Sequence, residues 1–267
     1  MTLKQLNLVN AVINAFVEAK KLKLSKDKCH KIHVQKNSKN RENCQKLKVH
    51  SEKMHESERE KYLGDVLDKS GKIRATIEDQ RNKGYGIIEE ILSIINEIPL
   101  GKYRLEIGLT LRQAMFINAI LFNSEAWHGL TETEIRILEE IDETLLRSLV
   151  KGHSKTPLEF LYLETGAIPI KFIISSRRII YLHTILTRSN TELIKRVYNA
   201  QKETPVKGDY YNLLKNDFLI IGEDLNEEKI ASTAKETFKR NVKIKIKIAA
   251  TKYLKEKQAK HSKVKAI

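Results

Sequence analysis

Apolar residues at Leu6, Val9, Ile13, Phe16 and Val17 recur at steps of three and four, which places them on one face of a helix ending near Lys20. The pattern then shortens. Cys29 to Val34 is brief and partly β-branched, as a strand would be, and residues 35–46 are polar, rich in Asn and Lys, and read as a loop. Two more short strands are expected, at Leu47–Ser51 and at Tyr62–Leu67, the latter closed by a turn over Asp68–Gly71. After Gly71 the period becomes helical. Ile73, Ile77, Ile88, Ile91, Leu92 and Ile95 keep one face until Pro99, with Gly84 and Gly86 as flexible positions midway.

A further helix is expected over Tyr103–Phe122. Thr131 and Glu134 have the spacing of a capping box, which satisfies free backbone donors at the start of a helix carrying Ile135, Leu138, Ile141, Leu145 and Leu149 on one side. Thr156, Pro157 and Glu159 open another helix that Gly166 stops, and Pro169 opens the next, through Leu186. Ser189 with Glu192 reads as one more capping box, a short helix leads to Ile221, and Asn226 is placed to cap a long terminal helix. Val242 to Ile248 alternates with Lys as a strand would. Flanks rich in Ala, Glu and Lys favour helix there. The expected fold class is α+β, mostly α: a few antiparallel strands, a helical bundle and a basic C-terminal helix, divided as 1–70, 71–152, 153–222 and 223–267.

Charge adds a second layer of organisation. The 267 residues carry 49 Lys plus Arg against 34 Asp plus Glu, a formal charge of +15, and 41% of them are hydrophobic, enough for a sizeable core. The excess sits in two blocks. Residues 20–53 hold twelve basic and three acidic side chains, residues 239–267 eleven and one, and the rest of the chain is slightly acidic. Lys and Arg at that density neutralise phosphates and release counterions, so nucleic acid is the expected partner, met mainly through its backbone. Aromatic residues make up 6% of the chain and are not interleaved with the basic blocks. No run reaches the ~18 apolar residues of a membrane-crossing helix, and the N-terminus lacks a signal-peptide pattern, so an intracellular protein, nuclear or cytoplasmic, without a membrane partner is expected.

Few residues form a chemical constellation. Cys29, His33, Cys44 and His50 could supply two thiolates and two imidazoles to zinc, but the spacing lacks the tight knuckles of a zinc finger, and no metal site is assigned. Gly84 and Gly86 do not make a phosphate loop, and no serine stands in a nucleophile elbow. Trp127, beside His128, reads as core.

Several stretches, taken in chain order, resemble the late part of a non-LTR, LINE-like retrotransposon reverse transcriptase. The first helix followed by KKLKLSKDKCHKI is similar to the segment after the catalytic strand, with Lys28 at the position of a lysine proposed to protonate the leaving pyrophosphate. Tyr62, Leu63 and Gly64 look like the primer-grip hairpin, with Asp68–Gly71 as its turn. LRQAMFINAILFNSEAW resembles the thumb helix that ends in Glu-x-Trp, here Glu125 to Trp127. LETGAIPIKFIISSRRIIYLHTIL is similar to the later region in which an arginine pair, here Arg177 and Arg178, precedes a helix with a histidine, here His183.

The resemblance covers residues 5 to 190. It implies a partial palm over 1–70, thumb-like helices over 71–152, a downstream helical region and a basic terminal helix. The family's Tyr-x-Asp-Asp or Phe-x-Asp-Asp motif, which binds two magnesium ions for phosphoryl transfer, does not occur in this chain. The expectation is therefore a truncated RNA-directed DNA polymerase fragment. It would bind RNA–DNA or DNA duplex through its backbone, with Lys243, Lys245, Lys247, Arg177 and Arg178 as contacts, and would hold no cofactor of its own. Magnesium belongs to the intact enzyme. Two alternatives stand beside it: an independent basic helical nucleic-acid-binding protein, and part of an active polymerase whose catalytic strand lies upstream. Arg177 and Arg178 could equally be ion-pair partners of the acidic helix around Glu139 and Glu140.

Overall fold

Helices dominate the structure, a computed structural model that describes residues 3–22, 30–32, 48–49, 52–53 and 55–264. It divides into two compact units, residues 1–76 and residues 77–267. Lys28, Cys29, His33, Cys44 and His50 lie outside the described residues.

In the first unit the opening periodicity becomes α1 (Leu3–Ala19). Val17 is buried, whereas Val9, Ile13 and Phe16 are exposed. Three short strand pairs follow among the described residues. β1 (His30–Lys31) pairs with β4 (His55–Glu56), β2 (Lys48–Val49) with β3 (Glu52–Lys53), and β5 (Arg59–Tyr62) with β6 (Asp65–Asp68). The last two pairs are antiparallel as expected, but β1 and β4 run parallel, which corrects a purely antiparallel reading.

The strand expected over Tyr62–Leu67 is instead two strands joined by a two-residue turn at Leu63–Gly64, with Tyr62 opposite Asp65. Both turn residues have positive φ, 48° and 92°, as the tight hairpin turn that matches strand twist demands. Glycine adopts that conformation freely, while Leu63 bears a steric cost of roughly 1–2 kcal/mol. Asp68–Gly71 is a separate turn after β6, in which Gly71 N–H donates to the Asp68 carbonyl at 2.9 Å and Ser70 N–H to its carboxylate at 2.8 Å. Thr76 then locks the hairpin, since its hydroxyl exchanges bonds of 3.0 and 3.1 Å with the Val66 amide and carbonyl.

The second unit holds most of α2 (Arg74–Asn96). That helix runs unbroken past Gly84, where a Cβ would stand 3.2 Å from both Ile141 and Phe116. Gly84 is thus a close-packing position rather than a flexible one. The single helix expected over Tyr103–Phe122 is α3 (Lys102–Leu111), a π-helical stretch Arg112–Ile117 and a final turn α4 (Asn118–Ile120). Arg104 is buried and donates to the carbonyls of Ile95, Ile98 and Ser148, which closes the open C-terminal end of α2. Trp127 is 2% exposed, in the core as expected.

Helix α5 (Glu132–Val150) begins with the Thr131–Glu134 capping box and buries Leu138, Ile141, Leu145 and Leu149. At Gly108 on α3 a Cβ would fall 2.0 Å from a methyl of Leu149, so any larger residue there must displace that side chain. α6 (Leu158–Thr165) follows Pro157 and stops at Gly166 with φ 68°, and α7 (Ile170–Leu186) follows Pro169. α8 (Leu193–Glu203) starts later than its expected capping box: Ser189 and Glu192 make a turn ahead of it, and no side chain caps the helix. α9 (Tyr210–Ile220) is capped by Asp209. Asn226 caps only the short α10 (Glu227–Ser232), and the chain turns at Thr233 before α11 (Lys235–Val264), which corrects the single long helix expected from Asn226.

Helices α7 to α11 share one core, built around Phe172, Ile179, Leu182, Tyr198, Leu214, Phe218, Val242 and Ile246. Among the described residues no helix is long and apolar enough to cross a membrane.

Candidate nucleic-acid interface

The register of α11 decides which of its lysines can act together. A helix advances 100° per residue, so the alternating Val242–Ile248 segment points four ways. Val242 and Ile246, continued by Ala250 and Leu254, are 2–4% exposed and face the core. Lys243 and Lys247 fall on one flank and Lys245 on the other. Ile244 and Ile248 face outward, 53% and 64% exposed. Alternation that a strand would split between two faces is here one turn of core and two basic flanks.

Helix α7 lies antiparallel to α11, because Phe172 near its start meets Tyr253 and His183 near its end meets Phe238, with ring centroids 5.6 and 5.7 Å apart. Between them runs a groove of about 860 Å³. One wall carries Lys235, Lys239, Lys243 and Lys247, at four-residue intervals, so successive ammonium stems rise by ~6 Å and the row spans ~18 Å. Arg177 stands on the opposite side. Its guanidinium donates to the Leu121 carbonyl and, at 3.3 Å, to Asn118 Oδ1. Burial lowers the Arg177 pKa, with the Glu125 carboxylate opposing the shift, and the group stays charged.

Five cations and one carboxylate, Glu125, thus line the groove, and of the five Lys239 also pairs with Glu236 at 3.6 Å on its exposed side. The floor is different in kind: Ile173 and Ile180 with the ring of Tyr181 make it largely apolar, Ile244 stands at its outer rim, and the amides of Gln113 and Asn118 and the hydroxyls of Ser176 and Thr184 edge it. A buried Arg112–Asp142 pair supports the π-helical stretch that carries Gln113. Arg112 Nε donates to Asp142 at 2.6 Å, Arg112 also donates to the Ile168 carbonyl at 3.0 Å, and Tyr162 O–H donates to the same carboxylate at 2.9 Å.

Of the residues expected from sequence to touch nucleic acid, the structure brings Arg177, Lys243 and Lys247 together. Lys245 is on the far flank, paired with Glu223. Arg178, one residue and 100° round from Arg177, is buried and held bidentately by Asp217 at 2.7 and 2.9 Å, with Ser175 donating to the same carboxylate at 2.6 Å. It is unavailable to a phosphate, and its partner is Asp217 rather than Glu139 or Glu140. Tyr62, Leu63 and Gly64 belong to the other unit, at the exposed tip of the β5–β6 hairpin, where Tyr62 is 63% and Leu63 70% exposed. Lys28 lies outside the described residues.

Lys235, Lys239 and Tyr181 were not anticipated. The signal for the lysines was present as a four-residue period, Lys235 to Lys247, that starts ahead of the basic block. Among the described residues no three His, Cys, Asp or Glu side chains gather closely enough to hold a metal ion. Comparison with models of protein families, with curated proteins and with solved structures finds no match to this chain.

Proposed function

We propose that the second unit binds nucleic acid in the α7–α11 groove, with the lysine row and Arg177 neutralising the phosphates of one strand. The row of Lys235, Lys239, Lys243 and Lys247 opposite Arg177 carries this reading. Like charges held at regular ~6 Å intervals repel one another, a cost that a regularly spaced polyanion removes. We extend the proposal to origin: the chain corresponds to the late palm, primer grip and thumb of a non-LTR reverse transcriptase, on the residue order from α1 to His183. Its primer-grip-like element would be the β5–β6 hairpin, whose tip presents Tyr62 and Leu63 to solvent. Without an Asp-Asp pair to hold magnesium, this chain binds without polymerising.

The test is fluorescence anisotropy of a labelled oligonucleotide. Lys239→Glu/Lys243→Glu/Lys247→Glu is expected to abolish binding, whereas Lys245→Glu, on the other flank, leaves most of it. Equal losses from both would refute the groove. A primer-extension assay with magnesium tests the second part of the proposal, with no product expected from this chain and clear extension contradicting it. Removing residues 239–267 would be a poorer test. Val242, Ile246, Ala250 and Leu254 belong to the core, and their loss would unfold the unit along with the interface.

A further inference from the structure

The proposed groove has more than charge, and its floor bears on which form of nucleic acid it takes. A duplex presents its phosphates outward and keeps base faces stacked inside, so it can use the lysine row but has nothing to set against Ile173, Ile180, Ile244 and Tyr181. An unpaired strand offers both. Its phosphates match the lysines along one wall, and its bases can leave water for an apolar surface and an aromatic ring. The amides of Gln113 and Asn118 and the hydroxyls of Ser176 and Thr184 also line the groove and are groups able to donate to and accept from base edges, although Asn118 Oδ1 already accepts from Arg177 and Gln113.

The apolar lining is partly accessible. Ile244 is 53% exposed, and Tyr181 is partly buried, anchored edge-on against Tyr210 with centroids 6.3 Å apart. Ile244 is thus an exposed apolar side chain beside the row of lysines, next to the half-buried Ile180 and Tyr181, and lysines facing a duplex need no such hydrophobic neighbour.

We infer that the α7–α11 groove is a single-strand site, taking an unpaired RNA or DNA segment with its phosphates on Lys235, Lys239, Lys243 and Lys247 and one or more bases against Tyr181 and Ile244. The inference rests on the nucleic-acid reading above and narrows it. A row of ~18 Å accommodates at most about five nucleotides at the ~3.4 Å spacing of a stacked strand. An acidic peptide would match the charge, but it lacks the repeated planar bases that can lie against Tyr181.

The experiment uses the full chain and three labelled probes of about fifteen nucleotides, a thymidine single strand, the corresponding duplex and a single strand of abasic sugars with the same phosphates. The thymidine strand is expected to bind about 5- to 100-fold more tightly than either of the others, the range that stacking one base supplies. Tyr181→Ala is expected to remove most of that difference and leave duplex binding unchanged, and Tyr181→Phe to retain it. Because Tyr181 packs on Tyr210, Ile244→Ser at an exposed position serves as a second variant that the fold tolerates, with the same selective loss expected. Equal binding of thymidine and abasic strands, tighter binding of duplex, or displacement of the strand by polyglutamate at equal charge would overturn the single-strand site while leaving a basic groove. Binding of all three probes that is indifferent to Lys239→Glu/Lys243→Glu/Lys247→Glu would instead overturn the underlying reading.

Discussion

Asp142 is the side chain whose replacement the fold should feel most. Its carboxylate is fully buried and accepts from Arg112 and from Tyr162 O–H, while Arg112 is itself buried and also donates to Ile168. Burial alone would lower the Arg112 pKa, but the adjoining carboxylate more than offsets this and raises it. Burial and the same carboxylate push the Tyr162 hydroxyl well above its ordinary value. Asp142→Leu therefore strands a guanidinium in the core, and Arg112→Met strands a carboxylate. Either should cost about 3–5 kcal/mol.

In a domain of this size each kcal/mol moves the melting temperature by about 2–4 °C, so a drop on the order of 10 °C is expected. The double variant Arg112→Met/Asp142→Leu removes both charges together and should be markedly more stable than the sum of the singles, with a coupling of at least about 2 kcal/mol. Urea unfolding followed by circular dichroism at 222 nm measures all four proteins, with the m-value checked for constancy. Additive losses, or a single substitution costing under about 1 kcal/mol, would refute the view that this pair is mutually dependent and dry.

Glu139 should make stability pH-dependent. Burial raises its pKa to about 7 against the opposing attraction of Lys171. The folded state therefore holds a proton that the unfolded state has lost, and stability falls as pH rises from about 4.5 to about 7. Urea midpoints between pH 5 and 8 should decline more steeply for the natural protein than for Glu139→Gln, and parallel curves would contradict this. Gly108→Ala should cost about 1–3 kcal/mol because its methyl meets Leu149, and combined with Leu149→Ala the two losses in thermal unfolding should be less than additive, whereas full additivity would contradict the contact. Leu63→Asn relieves a left-handed leucine, so amide exchange in β5 and β6 should slow by up to about tenfold, and unchanged or faster exchange would contradict the strain.

How much of this was legible in the sequence depends on how local each signal is. The Thr131–Glu134 capping box, the Pro157 and Pro169 starts and the Gly166 stop are all where their chemistry put them, because each concerns backbone donors or φ within a few residues. The helix through Val242–Ile248 was read correctly from its flanks. The Leu63–Gly64 turn was missed since leucine is a poor residue for positive φ, and only pairing across the hairpin imposes it. Gly84 and Gly108 carried no sequence mark of the close helix crossings at which they sit.

The site was half legible. Charge density pointed to α11, and Arg177, singled out separately, lies with Lys243 and Lys247 in the groove. Separating Arg177 from Arg178, or Lys243 from Lys245, needed the rotational setting of α7 and α11, which is fixed by the core and by Asp217. Tyr181 lies outside both basic blocks in the sequence, and only the packing of α7 beside α11 brings it next to the lysines.

The central claim is that a fixed set of five cations in one groove contacts nucleic acid, and its most direct test is the salt dependence of single-strand binding. With Lys235, Lys239, Lys243, Lys247 and Arg177 engaged, log K against log salt should have a slope of about −3.5, flattening by about 0.7 for each lysine of the row replaced by alanine and not at all for Lys245→Ala. A slope that is the same for the natural protein and for Lys239→Ala/Lys243→Ala/Lys247→Ala would contradict it.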